Sequence, residues 1–269
     1  MDIVSFRQTV WDFYRSHERV FPWRQTRDPY AILVSEIMLQ QTQTDRVVPK
    51  YEAWLAAFPT VRALAEAPVA EVLRLWQGLG YNRRALNLQK AAQVLQASYS
   101  GIIPADVEEL VKLPGIGPYT AAAVSTFAFD QPNVFIETNI RRVFLHAFFP
   151  DQEDVSDKQL MPLIGEAIPK QNVRDWYYAL MDYGAALAKS LPNPNRRSRH
   201  YTKQSAFEGS NRQLRGRILK SLVERPVWAL SELGLTLQVE KERLTAALEA
   251  LRVEGFLDIE DTQVSIRNH

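Results

Sequence analysis

Glu36 is a carboxylate placed among apolar residues, an unusual setting for a charged group. It lies between the apolar stretches 32–34 and 37–39, in a helical pattern with no face that looks exposed to solvent. Because desolvation raises the pKa of a carboxyl group, such an acid keeps a proton available near neutral pH. Two interpretations are open: a proton donor for chemistry, or a structural acid paired with a buried arginine such as Arg24.

The segment LPGIGPYT, residues 113–120, joins two helical patterns and is the second candidate. Gly115 and Gly117 allow positive φ and the close approach of another backbone, and Pro118 suits the first turn of a helix. The N–H groups at such a helix start suit an anion, most simply a phosphate. An ordinary turn between helices explains the same residues, so both interpretations stay open.

Glu137 is a second acid at a marked position. It follows a short extended stretch, residues 134–136, and directly precedes a helix predicted over residues 140–148. A carboxylate is favoured there by the helix dipole and by the free N–H groups of the first turn. Capping alone explains an acid at this position.

The composition is that of a globular chain without thiol chemistry. Hydrophobic residues make up 46% and charged residues 23%, which favours a folded over a disordered protein. The absence of cysteine excludes disulfides and Cys-ligated clusters, and the four histidines are scattered, so we expect no metal and no cofactor. No apolar run reaches the roughly 18 residues that cross a membrane. Asp2 and Arg7 argue against a secretory signal, so a cytoplasmic protein is expected.

The charge distribution is uneven although the net charge is only +1. Residues 196–220 contain eight basic residues against one acid, Glu208. Such a segment is typical of a surface that follows a phosphate backbone. A solvated linker balanced by acids nearby in space is the alternative.

The remaining periodicity is mainly helical. Helices are predicted over residues 3–19, from Asp28-Pro29 to Gln43, over most of 51–98 and over 155–190, with a glycine-rich turn at residues 78–81. The sequence pattern changes near residue 211, where short strands join the helices. Helices at 212–224, from 231 and at 239–252, a short strand at 227–230 and a ribbon at 256–259 and 263–266 predict a small winged helix, which binds DNA or a protein surface.

In this order the motifs resemble the helix–hairpin–helix (HhH-GPD) DNA glycosylases, most of all the MutY-type adenine DNA glycosylases. The resemblance covers residues 20–190 and rests on PWR (22–24), SEIMLQQTQ (35–43), GLGY (78–81), the 113–120 hairpin and MDYGA (181–185). It implies a mainly α, two-lobed glycosylase core over residues 1–205, with lobe one at 23–130 and lobe two formed by 1–22 and 131–205. Residues 206–269 form the winged-helix-like α+β module.

The resemblance implies a monofunctional glycosylase of base excision repair. It would flip a mispaired adenine or another purine lesion from duplex DNA and hydrolyse its N-glycosidic bond. Glu36 would protonate the leaving base, and Glu137, Tyr119 and Asn139 would complete the catalytic group. A neutral acid suits a poor leaving group, and an ionised acid stabilises an oxocarbenium-like sugar.

Further residues match family positions that contact DNA. The resemblance places three residues near the base: Trp23, Arg24 and Asp182. It places Gln41 and Tyr81 as wedges in the duplex, and the backbone at Gly115 and Gly117 against phosphate. The implied partner is double-stranded DNA with a lesion or mismatch, bound by a monomer at the nucleoid. No feature identifies a protein partner for the C-terminal module.

Glu137 departs from the family pattern, because it stands where the relatives have a catalytic aspartate. The extra methylene moves the carboxylate by up to about 1.5 Å. A displacement near 1 Å costs on the order of 100-fold in rate. A weakened activity, a different lesion, and an activity restored by a shifted backbone all remain open.

Three further departures concern the implied cofactor, specificity and chemistry. The relatives usually carry cysteines that hold an iron–sulfur cluster, whereas residues 193–201 contain none. We hypothesise that Arg196, Arg197 and Arg199 replace the phosphate contacts of that loop. The MutY-type domain that recognises 8-oxoguanine is replaced by the short module, which leaves the opposing base open. Tyr119 occupies the position of the Schiff-base lysine of endonuclease III-like relatives, so strand cleavage is not expected.

Two alternative functions remain. One is a glycosylase of the same fold for another base, either a mismatched thymine or uracil or an alkylated base. The other is a protein that binds DNA lesions without catalysis, in which Glu137 marks the lost chemistry.

Overall fold

The computed structural model describes residues 1–202 and 206–267. Lys203 of the basic segment and the predicted domain boundary after residue 205 lie outside these ranges. The described chain is mainly helical, as predicted. The helices of the N-terminal three quarters are α1 (Ile3–His17), α2 (Pro29–Leu39), α3 (Thr44–Ala57), α4 (Val61–Ala65), α5 (Val69–Trp76), α6 (Arg83–Tyr99), α7 (Val107–Leu110), α8 (Pro118–Phe129), α9 (Thr138–Phe148), α10 (Asp157–Ala167) and α11 (Val173–Ser190). None of the helices in the described ranges is long and apolar enough to span a membrane.

By packing, the chain falls into two compact units. Unit 1 comprises Met1–Glu36, Pro104–Lys112 and Ile116–Lys203, and unit 2 comprises Ile37–Ile103, Leu113–Gly115 and Gln204–His269. Within unit 1 the core is aromatic: Phe6 lies 4.9 Å from Phe144 and 6.0 Å from Trp176, ring centroid to ring centroid, which packs α1 against α9 and α11. The units are defined by packing, and the domain division given above stays a prediction.

The C-terminal module contains the predicted elements. They are α12 (Asn211–Glu224), β1 (Val227–Ala229), α13 (Leu230–Leu237), α14 (Lys241–Val253), β2 (Leu257–Glu260) and β3 (Gln263–Ile266). The strands form an antiparallel sheet in the order β1-β3-β2. Its apolar core is continuous with Val69, Leu73 and Leu86 of α5 and α6, within unit 2. The winged-helix arrangement of these elements stays a prediction.

Helix α2 begins as predicted and ends earlier. The Asp28 carboxylate accepts hydrogen bonds from the N–H groups of Tyr30 and Ala31, each at 3.2 Å, so it caps the helix. The prediction that the helix continues to Gln43 is wrong, because it ends at Leu39 and Gln41 has a φ of 53°. The Arg84 guanidinium donates to the carbonyls of Ile37, Met38 and Gln40 and thereby satisfies the helix end.

The hairpin before α8 uses its two glycines differently. Gly115 has a φ of 76°, and a Cβ on it would lie 2.5 Å from the Cβ of Asn87, so this position requires glycine. Gly117 has a φ of −85° and precedes Pro118 as the N-cap residue of α8. Of the two glycines, only Gly115 therefore adopts the positive φ that both allow.

Candidate active site

Glu36 lies in the last two turns of α2 and is 7% exposed. The Tyr119 hydroxyl, from the first turn of α8, donates to its Oε2 at 3.4 Å. Burial raises the pKa of Glu36 to about 7, and the charge of Glu137 adds to this, against the lowering effects of the Tyr119 hydrogen bond and of Arg24. Because burial also raises the pKa of Tyr119 well above its usual value, the phenol stays protonated and acts as a donor. With a pKa of about 7, a substantial fraction of Glu36 is protonated at neutral pH.

Arg24 is paired with Asp182, which favours the proton-donor interpretation of Glu36. Its Nη1 donates to Asp182 Oδ2 at 2.8 Å and its Nη2 to Oδ1 at 2.9 Å, with both side chains buried. Arg19 donates to the same carboxylate from its backbone N–H and its Nε. The arginine considered as a structural partner of Glu36 thus neutralises a different buried acid.

The three residues assigned to the base pocket form one buried cluster beside these charges. The Arg24 guanidinium carbon lies 4.4 Å from the Tyr178 ring centroid and 5.3 Å from that of Phe21. Trp23, which is 4% exposed, stacks on the Phe21 ring, with the two ring centroids 4.9 Å apart. These contacts hold Trp23, Arg24 and Asp182 firmly in unit 1; their contact with a base stays a prediction.

Glu137 caps α9, and its two carboxylate oxygens have different partners. Oε1 accepts from the backbone N–H groups of Asn139 at 2.7 Å and Ile140 at 2.8 Å, whereas Oε2 accepts from Asn139 Nδ2 at the longer distance of 3.3 Å. Burial raises the pKa of Glu137, while the two N–H groups and the nearby charges of Arg142 and Arg141 lower it. The capping interpretation is therefore correct, and it leaves Oε2 as the less tightly held oxygen.

Arg142, which sequence reasoning missed, fixes the amide of Asn139. Its Nη1 donates to Asn139 Oδ1 at 2.7 Å and to the carbonyl of Gly184 at 2.8 Å. Because the amide oxygen is engaged, the NH₂ group faces Glu137. The i,i+3 spacing of Asn139 and Arg142 on one helix was the available signal.

Gly184 allows α11 to approach α9 at this point. A Cβ on Gly184 would lie 2.4 Å from the carbonyl oxygen of Asn139 and 2.7 Å from its Cβ. Both distances are too short for non-bonded atoms, so any side chain at this position would overlap Asn139. The glycine of the MDYGA motif is therefore required by the packing that places Asn139.

Comparison with known proteins decides the family. Residues 34–170 match the family of HhH-GPD superfamily base excision DNA repair proteins. The chain belongs to this family. The resemblance read from the sequence motifs is thereby confirmed, as are the helix–hairpin–helix fold class and the assignment to the DNA glycosylases of base excision repair.

Similar proteins cover different shares of this HhH-GPD protein. An adenine DNA glycosylase of Buchnera aphidicola is 35% identical over 201 residues, which are 72% of this chain but 56% of that protein, so the chain spans little more than half of its length. An adenine DNA glycosylase of Mycolicibacterium smegmatis is 33% identical over 265 residues, with 91% and 90% coverage. The structure of a thermostable thymine-DNA glycosylase aligns with a TM-score of 0.61 at 30% identity, covering 68% of this chain and 86% of that one.

The segment that would hold an iron–sulfur cluster in the relatives does not fit one in this HhH-GPD protein. Buried Asn195 donates from Nδ2 to the carbonyl of Thr138 at 3.0 Å, and Arg197 Nη2 donates to the carbonyl of Leu145 at 3.1 Å. Val155 adds two backbone hydrogen bonds, to Arg197 and Arg199. The side chains of this segment thus make amide and guanidinium hydrogen bonds, and none of them is a thiolate that could bind iron. Across residues 1–202 and 206–267, no group of three or more His, Cys, Asp or Glu side chains could hold a metal ion.

The three arginines proposed for phosphate binding have different surroundings. Arg196 is exposed, Arg199 is exposed and paired with Asp154, and Arg197 points to the last turn of α9 as described above. Gln41 and Tyr81, the proposed wedge residues, are exposed in unit 2 and both have positive φ, 53° and 48°.

Replacing Gly184 by alanine tests the close approach of α11 to α9. We expect Gly184→Ala to lower the free energy of unfolding by about 3 kcal/mol, since the new methyl group overlaps the Asn139 backbone. Chemical denaturation measures this. Gly216→Ala is the matched control, because a Cβ there meets nothing within 4 Å and alanine favours a helix, so its stability should stay equal or rise. Equal stability of both variants would contradict the argument.

Proposed function

We propose that this protein is a monofunctional DNA N-glycosylase that removes adenine, or another purine lesion, from double-stranded DNA containing a mismatch or lesion. One observation carries the proposal: Glu36, buried and with its pKa raised to about 7, lies in the same compact unit as Glu137 and Tyr119. The monomeric state and the cytoplasmic, nucleoid-associated location stay predictions.

The two carboxyl groups take separate roles in the hydrolysis. Glu36 gives its proton to the purine ring as the N-glycosidic bond breaks and its electron pair moves to the base. Glu137 Oε2, the less tightly held oxygen, faces the positive charge that develops on the sugar. A water molecule then adds its oxygen to C1′, and the proton it releases returns to Glu36. Paired acids with different surroundings are the general solution for glycosidic bonds.

Adenine is the favoured base because a purine is a poor leaving group until it is protonated, and relatives at 33–35% identity are named adenine DNA glycosylases. Thymine is the second candidate, since the solved thymine-DNA glycosylase is 30% identical to this chain. Tyr119 supports a monofunctional enzyme, because a phenol cannot form the Schiff base on which β-elimination depends.

Base release from labelled duplexes tests the proposal directly. The panel contains adenine opposite 8-oxoguanine or guanine, thymine and uracil opposite guanine, hypoxanthine, and alkylated purines, with alkali added to reveal abasic sites. We expect adenine release that falls as the pH rises through about 7, because Glu36 must be protonated. Glu36→Gln should slow it by about 100-fold or more. Strand cleavage should require alkali.

Glu166→Gln is the control, since Glu166 is an exposed glutamate of α10. Release that is equally fast in Glu36→Gln would remove Glu36 from the mechanism. Release of thymine alone would select the second candidate. Lesion binding without release from any duplex would select the non-catalytic binder.

Shortening Glu137 tests whether the pocket is built around glutamate. Glu137→Asp should keep α9 capped, because aspartate is a good N-cap residue. It also withdraws the carboxylate by up to about 1.5 Å. We therefore expect unchanged stability and base release slower by on the order of 100-fold in single-turnover assays. Faster release in Glu137→Asp would mean instead that glutamate weakens an aspartate site.

Arg196 and Arg197 provide a matched pair of basic residues. Arg196→Ala should lower DNA affinity and flatten the salt dependence by about 0.9 in log–log slope, as for one phosphate contact. Arg197→Ala should instead lower the free energy of unfolding by about 0.5–1.5 kcal/mol, since it removes the side-chain hydrogen bond to the Leu145 carbonyl, which keeps the N–H of Phe149. Fluorescence anisotropy and denaturation measure the two effects. An unchanged slope in Arg196→Ala would refute the phosphate contact.

A further inference from the structure

Unit 2 contains a groove of about 1600 Å³, which we call the α12 groove. It is lined by the loops that carry Gln41 and Tyr81 and by one side of α12 in the C-terminal module. Eight lysines and arginines line it against one acid, Glu254. That acid is already neutralised by Arg215, whose Nη1 and Nη2 each lie 2.8 Å from a carboxylate oxygen. The groove is therefore strongly positive.

Tyr81 lies in this groove between two arginines from different parts of the chain. The Nη1 of Arg212, in α12, donates to the Tyr81 hydroxyl at 2.9 Å, and its guanidinium carbon lies 6.0 Å from the ring centroid. The guanidinium of Arg84 lies 5.6 Å from the same centroid. Tyr81 is 40% exposed and has a φ of 48°, a conformation that a bulky residue adopts only when its surroundings hold it. The two guanidinium groups provide such surroundings.

Arg84 joins both loops into one structure. Besides the carbonyls at the end of α2, it donates to the carbonyls of Leu79 and Gly80 and to the hydroxyl of Thr42. Burial lowers its pKa to about 10, which leaves it charged at neutral pH. The loops of Gln41 and Tyr81 are thus held by one half-buried cation, Arg84, and Arg212 of the module donates to the Tyr81 hydroxyl.

Aromatic and basic side chains that alternate along a groove are typical of nucleic-acid surfaces, in which cations follow phosphates and rings stack on bases. Two exposed cations line the groove: Arg83 follows the Tyr81 loop, and Lys220 lies in α12. An acidic protein would match only the charge of the groove, whereas a DNA strand supplies phosphates for the cations and bases for the aromatic ring. The chemistry therefore favours a DNA strand.

We propose that α12 of the C-terminal module and the Tyr81 loop form one surface that binds a phosphodiester backbone of DNA, and that Arg212 is a positioning residue that holds Tyr81 in this surface. This inference rests on the proposed function for its ligand, duplex DNA. It gives the module a role within the glycosylase: it extends the contact with the duplex and orients the ring before DNA arrives. Preorganisation of this kind lowers the entropy lost on binding.

The salt dependence of binding tests the surface. The probe is a fluorescein-labelled duplex with one adenine opposite guanine, measured by anisotropy from about 50 to 200 mM salt with full-length protein. The double variant Arg212→Ala/Lys220→Ala should bind on the order of 10-fold more weakly at about 100 mM salt and lose about 2 units of log–log slope. The control Arg252→Ala/Lys241→Ala removes two exposed cations of α14 that do not line the groove, and it should retain the slope.

A second readout separates positioning from charge. In single-turnover base release at saturating protein, Arg212→Ala and Tyr81→Phe should each slow the reaction, and the double variant should be no slower than the worse single one, since both remove one hydrogen bond. Additive losses would refute the positioning role.

An unchanged slope in Arg212→Ala/Lys220→Ala, or an equal loss in the control, would refute the surface. If wild type releases no base but the salt-dependence slope of the double variant falls as expected, the proposed function fails and the surface stands. If wild type releases base and that slope is unchanged, the proposed function stands and the surface fails.

Discussion

The burial of Glu36 is the constraint on which the candidate active site depends. Its usual pKa of 4.5 rises to about 7 in the folded chain, so the folded state holds the proton more tightly than the unfolded one. Glu36 therefore favours folding below its ordinary pKa, and this contribution is lost as the pH rises through about 7. The difference is on the order of 3 kcal/mol. A substantial share of a domain's net stability therefore depends on the protonation of Glu36.

The second carboxylate, Glu137, has surroundings that differ from those of Glu36. Glu137 receives two backbone N–H groups and lies near Arg142 and Arg141, whereas Glu36 receives one phenol hydrogen bond and a more distant arginine charge. The charge of Glu137 raises the pKa of Glu36, so the two carboxyl groups titrate as a coupled pair. Asn139 links this electrostatic asymmetry to packing, because its amide is oriented by Arg142 and its backbone by the approach of Gly184.

Local signals in the sequence predicted most elements and the types of residues at the site. The Asp28 cap, the hairpin glycines and the strands of the C-terminal module are all marked by residues within a few positions of the feature. What local signals did not show depends on distant residues. The end of α2 is set by Arg84, more than forty positions away, and the partner of Arg24 is Asp182 rather than Glu36. The contact of Gly184 with Asn139 likewise arises only when α9 and α11 pack together.

Helix α9, which Glu137 caps, is held at both ends by contacts from one neighbouring segment. Asn195 holds the first turn at Thr138, next to Glu137, and Arg197 holds the last turn at Leu145. Each such hydrogen bond contributes about 0.5–1.5 kcal/mol, with more lost if a buried partner is left unpaired. The helix is thus tied at both ends by one short segment, residues 193–201. Since these hydrogen bonds hold the helix that begins next to Glu137, the position of Glu137 depends on the stability of that segment.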